Sequence, residues 1–128
     1  MGATGPSLRT LARRAEFLAA ARARRQSRPG FTLQARPRGQ DEDPQGIRVG
    51  FTCSKKVGNA VARNRAKRRL RAAARAVLPA HGRPGWDYVL VGRPGETAAR
   101  DFATMCGELV SALGSVHAER PPARGARP

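Results

Sequence analysis

From Arg48 to Arg75 the chain carries ten basic residues and no acidic one. No other feature constrains the fold as much, because it calls for a helix with one narrow packing seam and a wide charged face. Residues 59–77 have helical periodicity, and Ala62, Ala66, Leu70, Ala73 and Val77 fall within about 80° of arc. That seam is suited to packing on a sheet. Arg63, Lys67, Arg71 and Arg75 form an i, i+4 row at one edge of it, joined by Arg68, while Arg65 and Arg69 lie on the other flank. Like charges at this spacing repel by about 0.2–0.5 kcal/mol per pair. A solvated face normally mixes signs. Four turns of uncompensated repulsion point instead to an anionic partner.

Composition strengthens that reading. The 128 residues fit one domain, and a chain this short buries roughly two-thirds of its unfolded surface. Lys and Arg number 25 against 9 Asp and Glu, a net charge of +16. Self-repulsion at that charge opposes compaction, and a polyanion relieves it. Of the basic residues 22 are Arg and 3 are Lys. Arg makes bidentate phosphate contacts and stacks on bases, which Lys does not.

The rest of the chain supplies a sheet. Residues 8–25 read as a helix, with Leu8, Leu11, Ala15 and Leu18 on one face and Phe17 off that stripe beside Arg14 and Ala21. The run Ser27-Arg28-Pro29-Gly30 ends it. Residues 31–36 and 47–54 alternate as strands, the second with Ile47, Val49, Phe51 and Cys53 on one face. Joined by a turn or flexible loop over 37–46, they are expected to form an antiparallel hairpin. The loop's Asp41-Glu42-Asp43 run reads as a soluble tip. The charged helix then ends at the Pro/Gly-rich residues 79–85. Trp86 to Gly92, continuously apolar at its centre, suits a strand buried on both faces. Thr97 is placed to cap a last helix, with Phe102, Cys106, Leu109 and Leu113 as its apolar stripe and Met105 and Val110 at the margins. The simplest architecture is one sheet with helices packed on it.

A second anion site precedes the charged helix. In Lys55-Lys56-Val57-Gly58-Asn59, Gly58 lets the backbone turn and Asn59 can cap the helix. The free N–H groups of the first turn and the helix dipole then favour an anion beside two lysines. The spacing of a nucleotide P-loop is absent. A uniformly charged face is poor at reading bases in a DNA groove, and no helix-turn-helix precedes it. Shape and phosphate contacts suit structured RNA better.

Other chemistries find little support. Cys53 and Cys106 lie far apart and read as small buried hydrophobes in a reducing cytoplasm. His81 and His117 have no local carboxylate to orient a base, and no set of acids has the spacing to hold a metal. No stretch approaches the roughly 18 apolar residues of a membrane span.

The stretch from Arg48 to Arg71 resembles the signature of the bacterial ribonuclease P protein. A strand ends in Ser54-Lys55-Lys56, then come Gly58-Asn59-Ala60 and Arg63-Asn64-Arg65-Ala66-Lys67-Arg68, all at the family's spacing. Weaker likeness extends to Leu11–Phe17, Phe31-Thr32-Leu33, and Tyr88-Val89-Leu90-Val91 followed by Gly92-Arg93-Pro94. The resemblance implies a single α+β domain over 8–116, an α-β sandwich with a central mixed sheet of about four strands and three helices. By composition, residues 1–7, small and Gly/Pro-containing, are expected to be a flexible start, and 117–128, rich in Pro, Arg and Gly, a disordered tail. The long basic helix would lie in a left-handed β-α-β crossover, against a rule that such connections almost always obey.

The resemblance also implies a division of labour in a cytoplasmic ribonucleoprotein. The RNA subunit holds Mg²⁺ and cleaves the 5′ leader from precursor tRNA; the protein binds no cofactor and has no catalytic residue of its own. Its partners are that catalytic RNA and precursor tRNA, with no membrane or DNA. Arg63, Asn64, Arg65, Lys67, Arg68 and Arg69 belong to the RNA-docking motif, with Arg71 closing the matched stretch. Lys55, Lys56 and Asn59 belong to the strand–helix junction. Phe17 matches an aromatic of a cleft for the single-stranded leader. Ala21 and Gln34 stand where the family often has aromatics, which implies either a weaker hold on the leader or contacts carried by Phe31 and Arg36. The alternative is a ribosomal or other structural RNA-binding protein.

Overall fold

The structure, a computed structural model, describes residues 8–118. The expected flexible start at 1–7, and all but two residues of the expected tail, lie outside the described residues. The elements run β1 (Leu8–Thr10), α1 (Arg14–Ala21), β2 (Arg24–Arg28), β3 (Phe31–Pro37), β4 (Ile47–Thr52), a single 3-10 turn (Lys55–Val57), α2 (Ala60–His81), β5 (Trp86–Gly92), α3 (Glu96–Ala99) and α4 (Phe102–Ala118).

Five strands form one mixed sheet in the order β1-β4-β5-β3-β2. The α+β class is as expected, with one strand more than the resemblance implies. β5 is central, parallel to β4 and antiparallel to β3. Its Tyr88 and Leu90 join the large core beneath α2 and α4, and its Val89 joins Leu11 and Ala20 on the α1 face. A strand covered on both faces needs a continuous apolar run. Because β5 inserts between them, β3 and β4 do not pair as the expected hairpin. The local connection is overridden by a longer-range strand with more apolar surface to bury.

α2 packs by its small side chains. Ala66, Leu70, Ala73, Ala74, Val77 and Leu78 are buried, which matches the seam apart from Ala62, only partly buried. The helix runs through Pro79 to His81, past the expected stop. Proline deprives the Arg75 carbonyl of its partner N–H, but Arg75 is exposed and water can replace it. α4 buries Met105, Leu109, Ala112, Leu113 and Val116, whereas Phe102 is 39% and Val110 38% exposed. Its packing stripe is therefore rotated from the expected one, because the helix must meet both α2 and the sheet. Thr97 is not its cap. That residue is buried in α3, where its hydroxyl donates to the Gly30 carbonyl and accepts from the Arg93 N–H, both at 2.7 Å. Asp101 fills the capping role, accepting the Thr104 N–H at 3.0 Å.

The first 25 residues depart most from expectation. A single helix over 8–25 is replaced by β1, α1 and β2. β1 adds to β4 in parallel and β2 adds to β3 antiparallel. Backbone pairing at a sheet edge outweighs the weak helical stripe, and Ala15 and Leu18 are exposed.

Loop 37–46 is fastened rather than free. Arg38, its side chain 1% exposed, donates to the carbonyls of Asp43, Gln45, Gly46 and Trp86 and to Asp87 Oδ1. Glu42 binds Arg36 at 2.5 Å and Asp43 binds Arg9 at 3.0 Å, so two of the run's three acids hold arginines instead of forming a solvated tip. The hydrogen bond to Arg36 holds the Glu42 carboxyl below its ordinary value.

At the same end of the sheet, where β5 begins, His117 stands edge-on to Trp86 and Tyr88, with ring centroids 4.4 and 5.8 Å away. Its Nε2 lies 2.6 Å from the Tyr88 hydroxyl. Burial first, then the charges of Arg83 and Arg24, push its pKa down to about 4 from 6.5. The folded ring stays neutral while the unfolded chain takes up a proton. Stability present above pH 6.5 is therefore lost as pH falls toward 4. In denaturant unfolding across that window, His117→Gln should lose less stability than the parent chain; parallel losses would contradict this.

Candidate RNA interface

β4 delivers the chain to the start of α2 through a junction whose local bonds are all backbone-directed. Ser54 accepts the Lys56 N–H at 3.2 Å. Gly58 turns with φ +141°, and a Cβ there would stand 2.8 Å from that of Ala62. Asn59 Oδ1 then accepts the Ala62 N–H at 2.9 Å, as an N-cap. Lys55, Lys56 and Asn59 are exposed around this helix start, where free N–H groups and the dipole favour an anion.

Along α2, Asn64, Arg65, Arg68, Arg71 and Arg75 are exposed, and Arg63 and Lys67 partly so. Among the described residues no carboxylate lies within ion-pair distance of Lys55, Lys56 or any α2 cation. Six acids, Glu16, Glu42, Asp43, Asp87, Glu96 and Glu108, pair with Arg9, Arg36, Arg38, Arg48 and Arg100 instead. The positive field of α2 is thus left unneutralised by the fold. Val61, 76% exposed, sits at its start as an apolar contact point.

Two cations of the motif have duties inside the protein. Arg69 donates to the carbonyls of Thr97 and Arg100, which ties α2 to α3. Arg71 lies over the Phe51 ring at 5.2 Å, a cation–π contact that holds its guanidinium against β4.

Beside α2 an open groove is lined by Arg14 and Phe17 of α1, Phe51 and Thr52 of β4, Cys53, and Lys67 of α2. The Phe17 ring rests on the backbone of Gly50, where a Cβ would stand 2.4 Å from Cε1. Only glycine allows that approach. Phe17 is partly buried against Leu11, Ala20 and Val89, with its remaining surface turned to the groove. Lys67 and Arg63 lie close enough to Cys53 for their charges to act on its thiol, though burial dominates and pushes that thiol up. Burial does the same at Cys106, and both cysteines are free. Among the described residues no group of His, Cys, Asp and Glu could hold a metal ion. The groove's chemistry is an apolar surface from Phe17 and Phe51 beside the cations Arg14 and Lys67.

Two expected groove residues lie elsewhere. Phe31 is 1% exposed in the core under α2 and α4, on the opposite face of the sheet. Strand alternation put it there, since Phe31, Leu33 and Ala35 share that face. Arg36 is on the α1 face but is bound to Glu42 and Asp87 at the loop. Ala21 is exposed and Gln34 partly buried. The parts of the groove not foreseen, Phe51, Thr52 and Cys53, carry only strand alternation in sequence, which assigned Phe51 to the core.

Comparison with known proteins fits this geometry. The Ribonuclease P family model matches residues 6–117. The ribonuclease P protein component of Ruegeria pomeroyi is 63% identical over 111 residues, 87% of this chain and 88% of that one. That of Caulobacter vibrioides is 50% identical over 109 residues, covering 85% and 71%. The fold matches the ribonuclease P protein of Staphylococcus aureus with TM-score 0.64 at 21% identity, over 83% and 93% of the chains. For that of Thermotoga maritima the TM-score is 0.61 at 24% identity, over 88% and 98%. No helix among the described residues is long and apolar enough to cross a membrane. The chain belongs to the ribonuclease P protein family, with the role in tRNA 5′ processing that membership implies.

Proposed function

We propose that this chain docks on the RNA subunit of ribonuclease P through the junction and outer face of α2, and binds the single-stranded 5′ leader of precursor tRNA in the adjoining groove. The observation that carries the reading is the charge separation. Six acids are engaged in ion pairs with arginines outside α2, and among the described residues no α2 cation has a carboxylate within ion-pair distance. Lys55, Lys56, Asn59, Arg63, Asn64, Arg65 and Arg68 form the docking surface. Lys67 and Arg71 stand between that surface and the groove. Phe17 offers a stacking face, and Arg14 and Lys67 offer phosphate contacts. Phe31, Arg36 and Arg69 are engaged inside the fold and take no part. The catalytic centre and its Mg²⁺ lie in the RNA; the protein supplies affinity and placement.

RNA binding should be strongly salt-dependent. If six to ten phosphates are neutralised, affinity should fall by roughly 10³- to 10⁵-fold between about 50 and 200 mM salt, less for single strands. A flat titration would contradict the charge argument. Arg65→Ala and Arg68→Ala open no cavity, so each should leave thermal melting unchanged and weaken assembly by about 1–3 kcal/mol. Protein freed of RNA by nuclease treatment should not cleave precursor tRNA at any Mg²⁺ concentration.

Phe17→Ala should spare assembly and raise KM only for precursors whose leader is several nucleotides long. Gly50→Ala should mimic it, because the new methyl displaces the ring. A large drop in melting temperature without leader dependence would show that Phe17 only fills the core.

A further inference from the structure

α1 carries Phe17 and Arg14 to the groove, yet it is poorly equipped to hold itself. It has eight residues, too few for independent stability, and Ala20 alone is fully buried. Its anchor is polar. Glu16 Oε1 accepts the N–H groups of Ala12 and Arg13, each at 3.0 Å, which fixes the first turn. Glu16 Oε2 receives the Arg48 guanidinium at 2.9 Å. Arg48 is held in turn by both oxygens of Asp87, Nε to Oδ1 and Nη2 to Oδ2, each at 2.8 Å. Asp87 is fully buried in the central strand and is braced from the other side by Arg38 at 2.7 Å. A rigid line of charges thus runs from β5 through β4 to the residue preceding Phe17.

The apolar contacts of Phe17, with Leu11, Ala20 and Val89, lie on one side of the ring only. The ring lies on flat backbone at Gly50, with open groove on the other side. Stacking tolerates little misplacement, so the supporting contacts decide how well such a surface works. We infer that Asp87 and Arg48 are positioning residues for Phe17, acting through Glu16 to set the stacking face that receives the leader. The inference rests on the reading of Phe17 as a leader contact.

The test is a double-mutant cycle in holoenzyme reconstituted with ribonuclease P RNA, using precursor tRNAs with a leader of one nucleotide or of several. Glu16→Gln removes the ion pair with Arg48, while glutamine at this position still caps the helix. Arg48→Lys keeps the charge but cannot grip Asp87 and Glu16 together. Each should raise KM for the long-leader precursor roughly threefold, the size of a partly exposed ion pair. Affinity for the RNA subunit and KM for the short-leader precursor should stay as in the parent, whatever melting temperature is lost with the ion pair. On a Phe17→Ala background neither change should raise KM further, because the residue through which they act is gone. Equal effects on both leaders, additive effects with Phe17→Ala, or no effect on KM would overturn the assignment. If the parent holoenzyme itself ignores leader length, the groove reading fails first and takes this inference with it.

Discussion

Like-charge repulsion is the constraint on which everything else in this molecule depends. With a net charge of +16 the chain must decide where its few carboxylates go. It places them beside the arginines that build the sheet, the loop over 37–46 and the α3–α4 junction. Among the described residues none forms an ion pair with an α2 cation. The same allocation that lets the domain close therefore leaves one helix with an uncompensated field. Fold and partner are linked through this allocation: any carboxylate moved to α2 would ease self-repulsion there and weaken the attraction for RNA.

Asp87 is where that allocation is most concentrated. It is fully buried in β5 and is shared by Arg38 and Arg48, with Arg36 at 3.4 Å. Ion pairs of this kind add little net stability over apolar packing, but removing one partner typically costs about 3–5 kcal/mol. Here the removed partner would leave three guanidinium groups facing one another. What the network supplies is geometry. It joins β3, β4, β5, the loop and α1 at one point, on the sheet face that carries Phe17.

The sequence was most legible where periodicity was long. α2, its packing seam and the Asn59 cap are set by local spacing and were readable from the charged run itself. β5 was readable because a four-residue apolar core bounded by turns has few alternatives. β2 was not, because Arg24-Arg25-Gln26-Ser27-Arg28 shows no apolar alternation and owes its extension to backbone bonds with β3. The three residues of β1 are too few to show a period. Leu18 was assigned to a core that α1 is too short to reach. Phe31 and Arg69 carried the right chemistry for the interface, but tertiary placement engaged them elsewhere. The Asp87 network was invisible for another reason. Its arginines lie 39 to 51 residues before Asp87 and meet it only when β5 inserts between β3 and β4.

The central claim is that the unpaired face of α2 selects the ribonuclease P RNA. Its most direct test is to recover the chain from cells under gentle conditions and sequence the RNA that accompanies it. The account predicts strong enrichment of ribonuclease P RNA, with precursor tRNA as the second class. Enrichment of ribosomal RNA, or a bound population that merely mirrors cellular abundance, would contradict it.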